Sequence, residues 1–444
     1  MLVRLLALAT LLVLTSVSAR AADWSRFRGP NGNAFSEEKG LPTKWSDSAE
    51  DGLVWKTSLP GAGASSPVIA GDKVFVTCYK GQGPGPVDRS LVCVGRKDGK
   101  ILWEKSVKGT AREDAFQGMG VPTHGYASNT PVTDGKSVFA FFGKAGVYAY
   151  DLDGNELWHK SVGTNSDDRN WGSGTSPILY KDMLIVNAAA ESKTIYALDK
   201  ATGKQVWKSP ADSLGSCWAT PILVDAPGGK QELVVSVPGE VWGFNPDTGE
   251  FAWFCEGVPS FAACTSAVAK DGVIYVIGAQ SGGGGGGAVA IKAGGKDDVT
   301  KTHRVWEKSV GSYVTSPVIV GDHLYWVSDG GQAFCVNLKD GETVYRERIG
   351  GGAAPAGGGG GGFGGGGGRG GGGSMFYASA VACDGKLYAV SRNKGIFVLA
   401  AEPKYQLLAT NKMEDTSVFN AGPAIQDGQI YLRSDKFLYC IGKK

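Results

Sequence analysis

Four histidines, eight cysteines and the long-loop acidic pairs Glu113-Asp114 and Asp167-Asp168 are the groups with which this 444-residue chain could do chemistry. His124 sits in the segment Pro122-Thr123-His124-Gly125-Tyr126, within a long insertion. His159 and His303 lie on or beside outer strands and His323 in a turn. Nucleophilic catalysis needs a nucleophile, a base and a group that orients the base. The spacing assembles no such set, because no carboxylate or cysteine can be placed beside His124. Glu113-Asp114 and Asp167-Asp168 fall in long loops, where paired carboxylates are expected to be solvated. The cysteines include no adjacent pair and no C-x-x-C, so a thioredoxin-type or zinc site is unsupported. Cys93, Cys335 and Cys440 read as small buried thiols. Cys78 with Cys93, and Cys217 with Cys264, are the pairs that could bridge in an oxidising space. No catalytic, cofactor-binding or metal-binding residue is assigned.

A second chemistry is offered by aromatics. Tyr126, Trp171, Trp218, Phe261, Tyr313, Tyr377 and Phe419 each precede a short strand at the same point of a repeat. They are expected to ring the mouth of a central channel. There they would form either a stacking or anchoring site for a ligand or partner, or a hydrophobic plug. Tyr126, Trp171, Trp218, Tyr313, Tyr377 and Phe419 are the candidate rim for partner or ligand binding.

The repeat that positions them recurs eight times. Its mark is a Ser/Thr-Pro step: Ser66-Pro67, Thr130-Pro131, Ser176-Pro177, Thr220-Pro221 and Ser316-Pro317, with degraded copies at Ser266-Ala267, Ser379-Ala380 and Gly422-Pro423. Each copy holds four short strand signals separated by turn pairs such as Asp134-Gly135 and Asp153-Gly154. One third-strand position is small: Cys93, Ala149, Ala197, Gly243, Ala290, Cys335 and Cys440, with Val398 the exception. An aromatic follows on the fourth strand: Trp55, Trp103, Trp158, Trp207, Trp253, Trp306 and Tyr345, while the seventh copy has only Leu407-Leu408. This pattern predicts an all-β fold, an eight-bladed β-propeller of four-stranded antiparallel blades. The last copy ends after Ile441, too early for a fourth strand. Gly52–Lys56 is therefore expected to complete that blade and close the ring, removing an open sheet edge.

Long insertions (residues 79–89, 106–125, 163–172, 278–287 and 350–374) fall mainly on the face carrying the second-to-third loops and the connections between blades. That face is the expected binding surface. The glycine runs 282–287 and 350–374 read as flexible loops without structure. Neither precedes a helix, so neither is a phosphate cradle.

Residues 1–21 read as a secretory signal peptide, with Arg4 as its basic start, an apolar run from Leu5 to Val17 and Ala19-Arg20-Ala21 as a cleavage site. Residues 22–51 form an N-terminal extension and 52–444 the propeller. No cysteine follows the apolar run, so lipid attachment is not expected. The mature protein is expected to be secreted or periplasmic and monomeric, with no transmembrane segment. Without the leader, 43 basic residues balance 43 acidic ones. No basic stripe is present, which argues against nucleic acid as partner.

The Pro-bearing first strand and the run Tyr196-Ala197-Leu198-Asp199, Thr202-Gly203, Val206-Trp207 resemble the pyrroloquinoline-quinone (PQQ)-like repeat. The opening Asp23-Trp24-Ser25-Arg26-Phe27-Arg28-Gly29-Pro30-Asn31-Gly32 is similar to that of secreted PQQ-like propellers of planctomycete-type bacteria. The resemblance spans the mature chain. It implies one of two activities. Quinoprotein dehydrogenases of this family use PQQ and calcium. The BamB-type scaffold of outer-membrane barrel assembly binds protein and no cofactor. The adjacent cysteines typical of quinoprotein alcohol dehydrogenases are missing here. The expectation is therefore a non-catalytic scaffold, BamB-like, whose partner is another extracytoplasmic protein. A PQQ-dependent dehydrogenase and a polysaccharide-binding propeller are the alternatives.

Overall fold

Outer strands of this chain alternate and inner strands do not, and that difference sets the layering. The second strand of the third blade, Met183–Ala188, is buried at every position after its first, whereas the fourth, Gln205–Pro210, is buried only at Trp207. A strand packed on both faces reads as an apolar run, and one at a rim alternates. The computed structural model, which describes residues 23–118, 120–279, 286–350 and 375–443, arranges these strands as eight four-stranded antiparallel sheets around a channel. Two sheets carry an extra parallel strand. Leu53–Ser58 pairs antiparallel with Phe437–Gly442, so the N-terminal strand completes the eighth blade.

The small third-strand position and the outer aromatic are partners in the ladder. Cys93 lies opposite Trp103, Ala149 opposite Trp158, Ala197 opposite Trp207, Gly243 opposite Trp253, Ala290 opposite Trp306, Cys335 opposite Tyr345 and Cys440 opposite Trp55. In the seventh blade the pair is inverted, with Val398 facing Ala409. The combined volume of each pair is limited, as close packing demands.

Each indole then reaches the next blade. The N–H of Trp55 donates to the Arg96 carbonyl (2.8 Å), Trp103 to Leu152 (3.1 Å), Trp158 to Lys200 (3.0 Å), Trp207 to Pro246 (3.1 Å) and Trp306 to Leu338 (2.8 Å). The ring of Trp158 lies under Gly203, where φ is +69° and a Cβ would come within 2.5 Å of it. Both the left-handed turn and the close approach require glycine there. Trp253 departs from this scheme. Its N–H donates to Glu232 (2.9 Å), and the long turn of the fifth blade lays Asp297–Asp298 in parallel along Trp253 and Phe254.

The Ser/Thr-Pro step has an equally specific role. The residue before proline is held extended, and its hydroxyl accepts the N–H of the equivalent residue in the preceding blade. Ser66 N–H donates to Thr130, Thr130 to Ser176, Ser176 to Thr220, Thr220 to Ser266, Ser266 to Ser316 and Ser316 to Ser379, all at 2.9–3.0 Å. Gly422 leaves the eighth blade without this hydroxyl. There the fully buried Arg433 bridges to the first blade instead, donating to the Ser65 carbonyl at 3.1 Å.

Three expectations need correction. All eight cysteines are free thiols. Cys78 faces Ser90 across the ladder while Cys93 faces Phe75, so those two are out of register. Cys217 pairs with Ala263 in an isolated bridge, next to Cys264 but not bonded to it. The glycine run of 282–287 is not wholly a loop, because Gly286 and Gly287 begin the strand Gly286–Lys292 and pair with Ala279 and Gly278. The rest of that run, most of 350–374 and the expected signal peptide lie outside the described residues. Among the described residues no helix is long and apolar enough to cross a membrane.

Candidate functional site

The channel is closed at one end by the chain's own N-terminal segment. Residues 24–36 lie across the ends of the first strands, on the face of the short turns. Trp24 carbonyl accepts from Ile69 N–H (2.9 Å), Ser25 carbonyl from Thr133 (2.9 Å) and Ala34 carbonyl from Ala382 (2.8 Å). Arg28 donates to the Pro317 carbonyl, and Phe35–Ser36 adds a parallel strand to Val381–Cys383. Trp24 itself is 1% exposed, its ring packed on Gly29. The segment satisfies N–H groups that the first strands would otherwise leave bare inside the channel.

What remains is a blind cavity of about 340 Å³ that opens on the loop-bearing face. Phe27, Arg28 and Ala34 line it from the N-terminal segment, and Ser66, Thr220, Ser266, Ser316 and Ser379 from the hydroxyl ring. Toward the mouth stand Trp171, Trp218, Tyr313 and Tyr377, with His124, Cys264, Arg392 and Asn420 between them.

Four of the six rim residues expected from sequence therefore come together, and two do not. Trp171 packs on Trp218 with ring centroids 5.1 Å apart and meets Tyr313 edge-on at 6.4 Å. Trp218 N–H donates to the Gly172 carbonyl at 2.7 Å. Tyr377 stacks parallel to His124 at 6.4 Å. Tyr126 is buried away from the cavity. Its hydroxyl donates to the Asp114 carbonyl (2.7 Å) and accepts from Gly83 N–H (2.8 Å), fastening two insertions together. Phe419 is 5% exposed and stacks on Tyr439 in the core. Insertions of the first blade and its connection cover Tyr126, and Phe419 turns into the core against a strand residue, neither of which a repeat alignment can register. Phe261 stays 41% exposed beside the mouth, with the Arg169 guanidinium 4.2 Å from its ring centre and 5.3 Å from that of Trp171.

Three of the four paired carboxylates are structural rather than solvated, and only Asp168 stays exposed, beside Lys193 at 3.0 Å. Glu113 is buried against Arg89 (2.6 Å) and Asp114 against Lys144 (3.1 Å). Asp167 accepts the N–H groups of Arg169, Trp171 and Gly172 at 2.8–2.9 Å, which fixes Trp171, and burial pushes its carboxyl up to about 6. Glu191, 1% exposed in the same cluster, is pushed up to about 7 by loss of water around its charge.

His124 serves the same loop. Nε2 donates to the Trp171 carbonyl at 2.9 Å and Nδ1 lies 2.6 Å from the Ser128 hydroxyl. Burial lowers its pKa to about 4, so it is neutral at ordinary pH with both nitrogens engaged. Burial also pushes the Cys264 thiol up, away from thiolate reactivity. Neither is poised as a base or a nucleophile.

The electrostatics of the lining are one-sided. It holds Arg28 and Arg392 and, among the described residues, no Asp or Glu. Arg28 is 4% exposed with its pKa lowered by burial to about 9, and Nη1 has no partner. Arg392 donates to the Thr123 carbonyl at a long 3.4 Å and stands over the Tyr377 ring. Neither arginine forms an ion pair among the described residues. A calcium ion beside a quinone needs charged oxygen donors, and alcohol oxidation needs a base. The lining supplies neither, so this donor set does not fit PQQ with calcium. Arg28 and Arg392 escaped sequence reasoning because they lie outside the aromatic register. The conspicuous opening motif around Arg28 was the one available signal.

A family model described as outer membrane protein assembly factor BamB matches residues 44–214 and 170–347. No curated protein matches the chain. Among solved structures, BamB from Moraxella catarrhalis aligns with a TM-score of 0.57 at 12% identity, covering 88% of this chain and 97% of that one. Quinohemoprotein alcohol dehydrogenase from Comamonas testosteroni aligns at 0.58 and 12% identity, covering 97% and 82%. The computationally designed protein Ika8 aligns at 0.56 and 12%, covering 88% and 100%. At these identities the likeness to solved structures is one of fold alone.

Proposed function

The chain belongs to the PQQ-like repeat β-propeller family of the outer membrane protein assembly factor BamB, and from that premise we propose that it is an extracytoplasmic, non-catalytic scaffold that binds another protein through its loop-bearing face. The observation that carries this reading is the mouth of the blind cavity. Trp171, Trp218, Tyr313 and Tyr377 are gathered there on the segments that lead into the first strands, and Phe261 stands beside them on Arg169. Protein interfaces concentrate their binding energy in such tryptophan, tyrosine and arginine clusters. Histidine and carboxylates that could have served catalysis are spent instead on fixing Trp171 and its loop. The leader-like residues 1–21 support export, and the balanced charge supports a protein partner over nucleic acid.

The test places a photo-crosslinking residue at position 261 on the loop face, or at 206 on the outer rim, in the native host. The proposal expects discrete protein adducts from 261, lost when Trp171→Ala and Tyr313→Ala are added, and none from 206. Calcium-dependent, micromolar binding of PQQ in calorimetry, with dye-linked oxidation of an alcohol, would overturn it. Sugar-induced changes in tryptophan emission without protein adducts would overturn it in favour of polysaccharide binding.

A further inference from the structure

We infer that the blind cavity is a receptor for a chain end: it takes the C-terminal residue of the partner, an apolar or aromatic side chain bearing a free carboxylate. This rests on the reading of the loop face as a protein-binding surface, and it names what enters.

The argument starts from closure. Residues 24–36 seal the far end, so an extended peptide cannot thread the channel, and only a terminus or a side chain can enter. The next constraint is charge. Arg28 and Arg392 both line the cavity, no carboxylate does, and neither arginine has an ion-pair partner among the described residues. Two arginines in a confined, partly apolar space, with Asp435 acting on Arg392 only from outside the lining, favour entry of an anion and oppose an amino terminus. Arg392 is the accessible one. It is half-buried, with a single long hydrogen bond through one nitrogen, which leaves the rest of its fork for a carboxylate. The last constraint is shape. A cavity of about 340 Å³ is at the small end of ligand sites, enough for a residue or two. Its mouth presents the faces and edges of Trp171, Trp218, Tyr313 and Tyr377, which suit a flat apolar group. Capture of a C-terminal carboxylate is an established mode of peptide recognition, and here an arginine supplies what backbone N–H groups supply elsewhere.

The experiment titrates the full mature protein with three probes in calorimetry. They are a blocked hexapeptide ending in Gly-Ser-Phe with a free acid, the same peptide as its C-terminal amide, and N-acetylphenylalanine. The free-acid peptide is expected to bind at least about tenfold more tightly than the amide. Raising salt should weaken the acid only. In Arg392→Gln the acid and amide should become equal, whereas an ending in Gly in place of Phe should lose most of the affinity. The acid-amide comparison is made on unmodified protein, so it does not depend on any variant folding. Equal binding of acid and amide would overturn the inference. N-acetylphenylalanine should displace the free-acid hexapeptide, because the cavity has room for only a residue or two, and failure to displace it would also overturn the inference. Absence of binding by all three, with crosslinks from position 261 intact, would overturn the inference and leave the scaffold reading standing.

Discussion

Replacing Thr220 by valine isolates one bond of the hydroxyl ring. Thr220 Oγ1 accepts the N–H of Ser176 at 3.0 Å, and both residues are buried, at 6% and 2% exposure. Valine keeps the branched shape and removes only the acceptor. The Ser176 N–H is then orphaned, which costs about 1–3 kcal/mol. Unfolding entropy of roughly 2 cal/mol/K per residue gives a chain of this length about 0.9 kcal/mol/K, so the midpoint should fall by about 1–3 °C. Thr220→Ser keeps the acceptor and loses a methyl group, about 0.8 kcal/mol. The discriminating assay is amide hydrogen exchange alongside thermal unfolding. Ser176 should exchange faster in Thr220→Val and at the parent rate in Thr220→Ser. If Thr220→Val stays within about 0.5 kcal/mol of the parent and Ser176 exchange is unmoved, the ring does not bear on stability and the reasoning is refuted.

Trp158→Ala empties the socket under Gly203 and drops a bond to Lys200, so it should cost about 3–5 kcal/mol in urea unfolding. Trp24→Ala should cost a similar amount, and it should also admit solvent to the sealed end of the channel, seen as faster exchange of the Ile69 and Thr133 amides. The Glu191 carboxyl titrates near 7 in the fold against 4.5 in the free state, so the folded protein holds the extra proton between those values. The Glu191 contribution to stability should therefore fall as pH rises from about 4.5 to about 7 and level off above, opposite in sign to that of His124, whose pKa burial lowers to about 4. Glu191→Gln should flatten that slope, as urea midpoints at pH 5 and pH 8 would register. Alkylation of the unfolded, unreduced protein should label eight thiols, and fewer would show a bridge that the structure lacks.

The blade count, the strand order and the closure of the ring were legible because each depends on a pattern repeated eight times. A Ser/Thr before proline, a small residue and an outer tryptophan recur because every blade solves the same packing problem against its neighbour. Even the Val398 exception has its reason within the pattern, although it took the ladder to show that Ala409 faces it. The site was legible only in part. The aromatics of the mouth share a repeat position, and four of them meet. Tyr126 and Phe419 share that position too, but Tyr126 is held by two insertions without counterpart in other blades and Phe419 stacks into the core on Tyr439.

Asp167 accepts N–H groups of its own insertion, whereas local pattern could not show that Glu113 and Asp114 are buried, because their partners Arg89 and Lys144 come from other segments. The same holds for the two arginines of the cavity. By itself the sequence determined the propeller, since hydrophobic alternation, turn residues and a repeated inter-blade contact are short-range and additive. Only the tertiary structure decided that residues 24–36 seal the channel, and so that the cavity is blind and is lined by two arginines and no carboxylate among the described residues. That outcome depends on one unrepeated segment meeting the first strands of blades far apart in the chain, a contact that no local rule encodes.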